Sequence, residues 1–356
     1  MKQVKSLIIV FLCLYIGNLE ATTYGSYFTP SRENRPPALQ NGDILLGFAV
    51  FYQGFELSSS SVSVTWDCYY PVGGDVSLNG GDLLLDEDFI LNTDASFSST
   101  SSEFSNAGTI YGNGYVVRLP DSVNQHDFKG TFTFVDTKLI LNSPVALDGV
   151  FTFNGDCTIE GSCNVLTTTQ ATIKIDAGSI LHIKDLAIQG ISADTIYCAD
   201  TAGYLALDDV VWIQYGDYTF ERGSLAIYST IQMKGPAVFA YTSSQATTIA
   251  TKSSWLFDFG MTFSYASTPG TLIQFADSTS LMQLYETTLY SAVPGISFTK
   301  GTLALEGACP LLSAATQVSD GVQLGDGASA ANNITLKIGP ESGFDVSTGY
   351  LVYKNV

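Results

Sequence analysis

The stretch DAGSILHI, residues 176–183, decides the fold because its form returns along the chain. An Asp, Thr or Glu opens a turn containing Gly or Ser, and a short strand-like run with alternating apolar residues follows. The form begins at residues 86, 136, 176, 201, 221, 251, 277 and 299. If the two widest intervals each hold two units, the period is about 20–25 residues, which is typical of one coil of a β-solenoid.

The alternation is clearest in the run L-A-L at 205–207 and 303–305 and in L-A-I at 225–227. In each run the outer pair is expected to point inward and the alanine outward, because side chains of a strand alternate between its two faces. The sequence therefore predicts an all-β protein, a parallel β-solenoid of about 10–12 coils with an N-terminal cap. A β-sandwich or jelly roll is the alternative fold.

One stretch resembles a known superfamily. The sequence GTIYGNGYV at 108–116 is similar to the T-I-x-G-x-G phrase of early coils in right-handed parallel β-helix proteins, the pectate-lyase-like superfamily. The resemblance extends over residues 76–325 and implies a three-sided, right-handed solenoid. It implies no activity.

The first residues predict export. Lys2 and Lys5 precede a short apolar run that ends in small residues, with cleavage expected after Ala21. The run is too short for a membrane span, which needs roughly 20 residues, and no longer apolar stretch follows. The predicted organisation is a signal peptide at 1–21, a linker and N-terminal cap at 22–75, the solenoid at 76–325, and a C-terminal strand pair or cap at 326–356.

The charge limits the partners. With 34 acidic and 15 basic residues the net charge is −19, and nucleic acid or an anionic membrane would instead require a basic face. We expect the location to be periplasmic, cell-surface or extracellular.

The cysteines suggest a disulfide and no metal site. Removal of the signal peptide leaves five of the six cysteines, of which Cys157 and Cys163 are close enough in sequence to bridge a loop. There is no C-x-x-C pair and there are only two histidines, so the sequence predicts no zinc site and no other metal or cofactor.

Many β-helices process polysaccharides, so their motifs were compared with this chain. It contains N-T-D at 92–94 and the pair Asp208-Asp209, which partly match a hydrolase family. The two pieces lie about five coils apart, whereas both carboxylates must flank one glycosidic bond within ~10 Å. Aspartates that recur at the repeat positions are expected to be turn residues, so no catalytic residue is predicted.

A binding role is favoured instead. Trp212, Tyr215 and Tyr218 do not alternate as one buried face requires, which makes them candidates for stacking on sugar rings. The alternative is that they fill the interior. We therefore expect a structural, adhesive, glycan-binding or cell-surface-protein-binding solenoid without catalysis. A polysaccharide hydrolase or lyase is the alternative.

Overall fold

The computed structural model describes residues 109–114, 116–119 and 126–356, together with the backbone of eleven short strands between Thr23 and Ser98. The predicted signal peptide and most of the predicted linker and cap lie outside the described residues. The upstream strands are β1 (Thr23–Tyr24), β2 (Ala38–Leu39), β3 (Ile44–Leu45), β4 (Ala49–Val50), β5 (Phe55–Ser58), β6 (Ser61–Val64), β7 (Cys68–Tyr70), β8 (Val76–Asn79), β9 (Asp82–Leu85), β10 (Phe89–Leu91) and β11 (Phe97–Ser98).

The central part contains the long strands, which bend around corners of the solenoid. They and their shorter neighbours are β12 (Thr109–Tyr111), β13 (Val116–Leu119), β14 (His126–Val135), β15 (Lys138–Leu141), β16 (Val145–Asn154), β17 (Asp156–Ile175), β18 (Ile180–Ile191), β19 (Ile196–Cys198), β20 (Tyr204–Gln214), β21 (Tyr218–Phe220) and β22 (Ser224–Lys234).

The last part contains shorter strands separated by longer corners. They are β23 (Val238–Tyr241), β24 (Thr247–Ile249), β25 (Ser254–Phe257), β26 (Thr262–Tyr265), β27 (Ile273–Phe275), β28 (Leu281–Tyr285), β29 (Thr288–Ser291), β30 (Ser297–Phe298), β31 (Thr302–Glu306), β32 (Ala308–Ser313), β33 (Val322–Leu324), β34 (Thr335–Ile338), β35 (Gly343–Val346) and β36 (Leu351–Tyr353).

These strands form a parallel β-solenoid, which confirms the predicted fold. Each turn contributes one strand segment to each of three faces, here named in the order in which the chain visits them. Face 1 includes the first segments of β18, β20 and β22, and face 2 includes their second segments. Face 3 includes β19 and the later series β21, β23, β26, β29, β32 and β35.

The interior is one hydrophobic core. Leu205, Leu225 and Leu303 all belong to it, and Leu205 pairs directly with Leu225 in the parallel ladder. Ala206, which was predicted to point outward between two inward leucines, is itself buried at 1% exposure. The expectation of one continuous stacked core is confirmed.

The repeat does not stay on one face. Its strand segments lie on face 1 up to Ser224–Tyr228, which pair with β20. From residue 251 onward they lie on face 2, because β25, β28 and β31 continue the ladder of the second segment of β22. The recurring form is thus a corner followed by a strand, and the position of that corner changes once along the stack.

The coils lengthen toward the C-terminus. Tyr204 pairs with Ser224 one coil later, whereas Thr302 pairs with Thr335. Where the sequence predicted a strand pair after residue 326, three strands follow, one on each face. In the described ranges the helical segments are single 3-10 turns at Val318–Asp320 and Ala330–Asn332, and none has the length and apolarity that a bilayer crossing requires.

Candidate binding surfaces

Two of the three predicted ligand-binding aromatics lie inside the core. Trp212 and Tyr218 are each 1% exposed, and their rings meet edge to face with centroids 5.3 Å apart. The Tyr218 hydroxyl donates a hydrogen bond to the carbonyl of Ile196 at 2.8 Å, and burial raises its pKa well above the ordinary value. The prediction of sugar stacking is therefore wrong for these two residues, because strand alternation turns both toward the interior.

Tyr215 is the exception. It follows the last residue of β20 at the corner between faces 2 and 3, and it is 63% exposed. The corner of the next coil is held close beneath it: Gly235 has φ +109°, and a Cβ there would lie 2.2 Å from the carbonyl oxygen of Gln214. Only glycine fits this conformation and this approach.

Two further aromatic residues are exposed along the same corner. Phe259 follows β25 and is 63% exposed, and Tyr285 ends β28 one coil later. The ring centroids of Phe259 and Tyr285 are 6.4 Å apart. With a strand spacing of ~4.8 Å, Tyr215 lies two coils, or ~10 Å, before Phe259. We name Tyr215, Phe259 and Tyr285 the aromatic strip.

Polar groups flank the aromatic strip on face 2. Gln232, Leu256 and Gln283 occupy successive rungs and point outward, and Tyr285 pairs with Glu306 on the next coil. These side chains border a groove of about 150 Å³, which is lined by Gln232, Leu256, Phe257, Asp258, Gln283, Tyr285 and Glu306. The groove offers amide donors and carboxylate acceptors beside exposed rings, a combination suited to hydroxyl-rich ligands.

The carboxylates considered for catalysis are parts of corners. Asp209 adopts φ +53° at the corner between faces 1 and 2, and Asp208 accepts a hydrogen bond from the Ser229 hydroxyl at 2.5 Å. Asp94, from the N-T-D sequence, lies outside the described residues. Asp277 accepts hydrogen bonds from the amide and the hydroxyl of Thr279 in the turn that follows, which is the role predicted for the leading aspartate.

Cys157 is a free, buried thiol and forms no disulfide with Cys163 in the structure. It points into the core and donates to the carbonyls of Phe134 and Asn154, at 3.5 and 3.3 Å. Burial raises its pKa to about 11. The side chain of Cys163 lies outside the described residues, and within the described part of the chain no three Cys, His or acidic side chains form a metal-binding group.

Sequence reasoning missed Phe259 and Tyr285 for a physical reason. In the run WLFDFG at 255–260, Trp255, Phe257 and Phe259 share the parity of inward residues. The strand ends at Phe257, however, and the corner turns Phe259 outward. The glycine after Phe259, at φ +79°, was the available signal that the alternation stops there.

The chain was also compared with known proteins. No protein-family model, no curated protein and no solved structure matches it.

Proposed function

We propose that the protein is exported and acts as a structural or adhesive β-solenoid that binds a neutral glycan chain along the aromatic strip. The observation that carries the proposal is that Tyr215, Phe259 and Tyr285 are all exposed at the same corner of the stack, with the rings of Phe259 and Tyr285 in contact. Such an arrangement suits an extended ligand that lies parallel to the solenoid axis.

Physical chemistry supports a neutral ligand. Exposed rings contact the apolar C–H faces of sugars, while the amides of Gln232 and Gln283 and the carboxylates of Asp258 and Glu306 can bond their hydroxyls. The net charge of −19 opposes the approach of an acidic polysaccharide. Because the strip residues lie on strand ends and tight corners, little ordering is needed on binding.

Export and superfamily belong to the same proposal. The charged and apolar sequence of residues 1–21 supports secretion. The similarity of GTIYGNGYV at 108–116 to early coils of pectate-lyase-like proteins, together with the parallel solenoid, supports a place among secreted β-helices. A fold of this kind hosts binders as well as enzymes, so the surface decides between them.

The test is a glycan array probed with the purified protein, with release of reducing sugars from each bound polysaccharide measured in parallel. The proposal expects binding to neutral glycans and no release above the buffer control. Release of reducing ends would assign a polysaccharide-processing enzyme. If the protein bound no neutral glycan on the array, the proposal would be refuted, even if the protein bound a cell-surface protein.

A further inference from the structure

Face 3 contains an interruption that neither the repeat nor the proposed function requires. Among the described strands, β19 pairs with β17 alone and β21 with β23 alone, so the ladder of face 3 stops between β19 and β21. On face 1 the same two coils stay in register, with Ile180 opposite Tyr204. The opening is therefore local to one face.

Side chains bridge the opening in place of the main chain. The Tyr218 hydroxyl reaches the carbonyl of Ile196 from the core, and the Arg222 guanidinium donates to the carbonyl of Ala199 at 3.3 Å. By contrast, where face 1 is interrupted between β27 and β30, the amide of Ser297 still donates to the carbonyl of Gly270 at 2.8 Å.

The opening leaves main-chain groups available to a ligand. Thr195 accepts from the amide of Ile173 and Ala199 donates to the carbonyl of Ile175, at 2.7 and 2.8 Å. Because ladder bonds of a parallel strand alternate in direction, the N–H and C=O of Cys198 then point away from β17, toward β21. No strand pairs with β19 on that side among the described residues, so these groups have no ladder partner.

The opening is a cleft of about 470 Å³, within the range of small-molecule sites. Its lining residues are Ala193, Asp194, Ile196, Tyr197, Cys198, Thr219, Glu221 and Arg222. Tyr197 presents its ring at the mouth, being 39% exposed. The Cys198 thiol is held protonated, because burial raises its pKa to about 12, so it contributes no negative charge.

The charges in the cleft select the ligand. Within the described part of the chain, neither Asp194 nor Glu221 has an ion-pair partner, so two carboxylates and one guanidinium face the same space. The sum is one negative charge in a strongly acidic protein. An anionic ligand is disfavoured, whereas hydroxyl and ammonium groups can donate to both carboxylates.

We propose that the cleft between β19 and β21 binds a single pyranose residue, and that it prefers an amino sugar to a neutral sugar and excludes a uronic acid. Tyr197 stacks on the ring, Glu221 and Asp194 accept from hydroxyl and ammonium groups, and Arg222 donates to a ring or hydroxyl oxygen. The choice of a saccharide rests on the proposed function, but the residues are separate from the aromatic strip.

The test uses three probes of similar shape and different charge: the methyl glycosides of glucosamine, glucose and glucuronic acid. Binding to the full protein is followed by NMR titration at low and physiological salt. The expected order of affinity is glucosamine, then glucose, then glucuronate. The difference in affinity between glucosamine and glucose should become smaller as the salt concentration rises. Equal affinities, or glucuronate bound most tightly, would contradict the charge argument.

Variants locate the binding. Tyr197→Ala is expected to weaken binding of the glucoside about tenfold, and Glu221→Gln to remove most of the preference for glucosamine. The matched control is Tyr290→Ala, since Tyr290 also lies on face 3 and is 38% exposed. If Tyr197→Ala and Glu221→Gln both bind every probe like the wild type, the cleft is not the binding site.

The two proposals fail separately. If variants of the aromatic strip no longer bind the array but still bind the monosaccharide probes, the cleft remains assigned as the monosaccharide site. Array binding through the strip without any titration of the cleft refutes this inference alone.

Discussion

Two tryptophans lie in the core with indole N–H groups that have no hydrogen-bond partner among the described residues, namely Trp212 and Trp255. A buried donor without an acceptor costs about 1–3 kcal/mol. Both rings contact other aromatics: Trp212 lies 5.3 Å from Tyr218, and Trp255 lies 4.9 Å from Phe257, measured between centroids. Their contribution is therefore volume and ring contact, offset by an unpaired polar group.

We predict that Trp212→Phe is less costly than its loss of volume suggests. The smaller ring removes packing but also removes the unpaired N–H, so we expect destabilisation below about 2 kcal/mol. Leu205→Ala, which deletes apolar contact only, should cost about 2–5 kcal/mol. Urea unfolding of the two variants measures both values. A Trp212→Phe variant less stable than Leu205→Ala would show that the indole N–H is satisfied.

The buried thiols should be inert while the protein is folded. Burial raises the pKa of Cys157 to about 11 and that of Cys198 to about 12. It also raises the pKa of Cys309. Because the thiolate is the reactive form, iodoacetamide at pH 8 should leave these three unmodified in the native protein and modify them in denaturant. Peptide mapping by mass spectrometry distinguishes them from other cysteines, and native modification of any of the three would contradict their placement.

At the scale of elements, corners are the units that the sequence specifies best. The leading aspartate of the repeat stabilises its turn, as Asp277 shows by accepting from Thr279 and from the Thr251 hydroxyl of the preceding coil. These hydrogen bonds, first of all that from the Thr279 side chain, lower the pKa of Asp277 below its usual value of 3.8.

The stabilisation of the folded state by Asp277 depends on pH. A lowered folded-state pKa means that the stabilisation is present above pH 3.8 and is lost as the pH falls through the folded-state value. Asp277→Asn should therefore lower the melting temperature by about 1–3 °C at pH 7 and have no effect at strongly acid pH. Asp345→Asn is the control, an exposed aspartate on β35 without a side-chain hydrogen bond among the described residues. A pH-independent difference for Asp277→Asn would contradict this assignment.

Elements also show what sequence could and could not predict. Leu205 and Leu225 were placed correctly because alternation and spacing are local signals. The change of face after residue 250 was not predictable, because the same turn chemistry serves any corner. The opening beside β19 is bridged by the Tyr218 hydroxyl and the carbonyl of Ile196, 22 residues apart in sequence, so no local pattern reveals it.

At the scale of the molecule, parallel stacking of the coils places equivalent corners of successive repeats next to each other. The core holds the strands, and exposed aromatic residues lie at the corners. Tyr215 was recognisable as a candidate from sequence, whereas its place on the same corner as Phe259 and Tyr285 follows only from the stacking of the coils. The proposed binding surface is thus a property of the stack rather than of any one repeat.

The most direct test of this account is the affinity of the triple variant Tyr215→Ala, Phe259→Ala, Tyr285→Ala for the neutral glycan that the array identifies. Calorimetry should show at least tenfold weaker binding than the wild type, with the melting temperature preserved, because all three side chains are exposed. A control triple variant, Tyr228→Ala, Tyr290→Ala, Tyr353→Ala, should bind like the wild type. Unchanged affinity in the strip variant, or equal loss in both, would contradict the claim that the exposed corner aromatics form the glycan-binding surface.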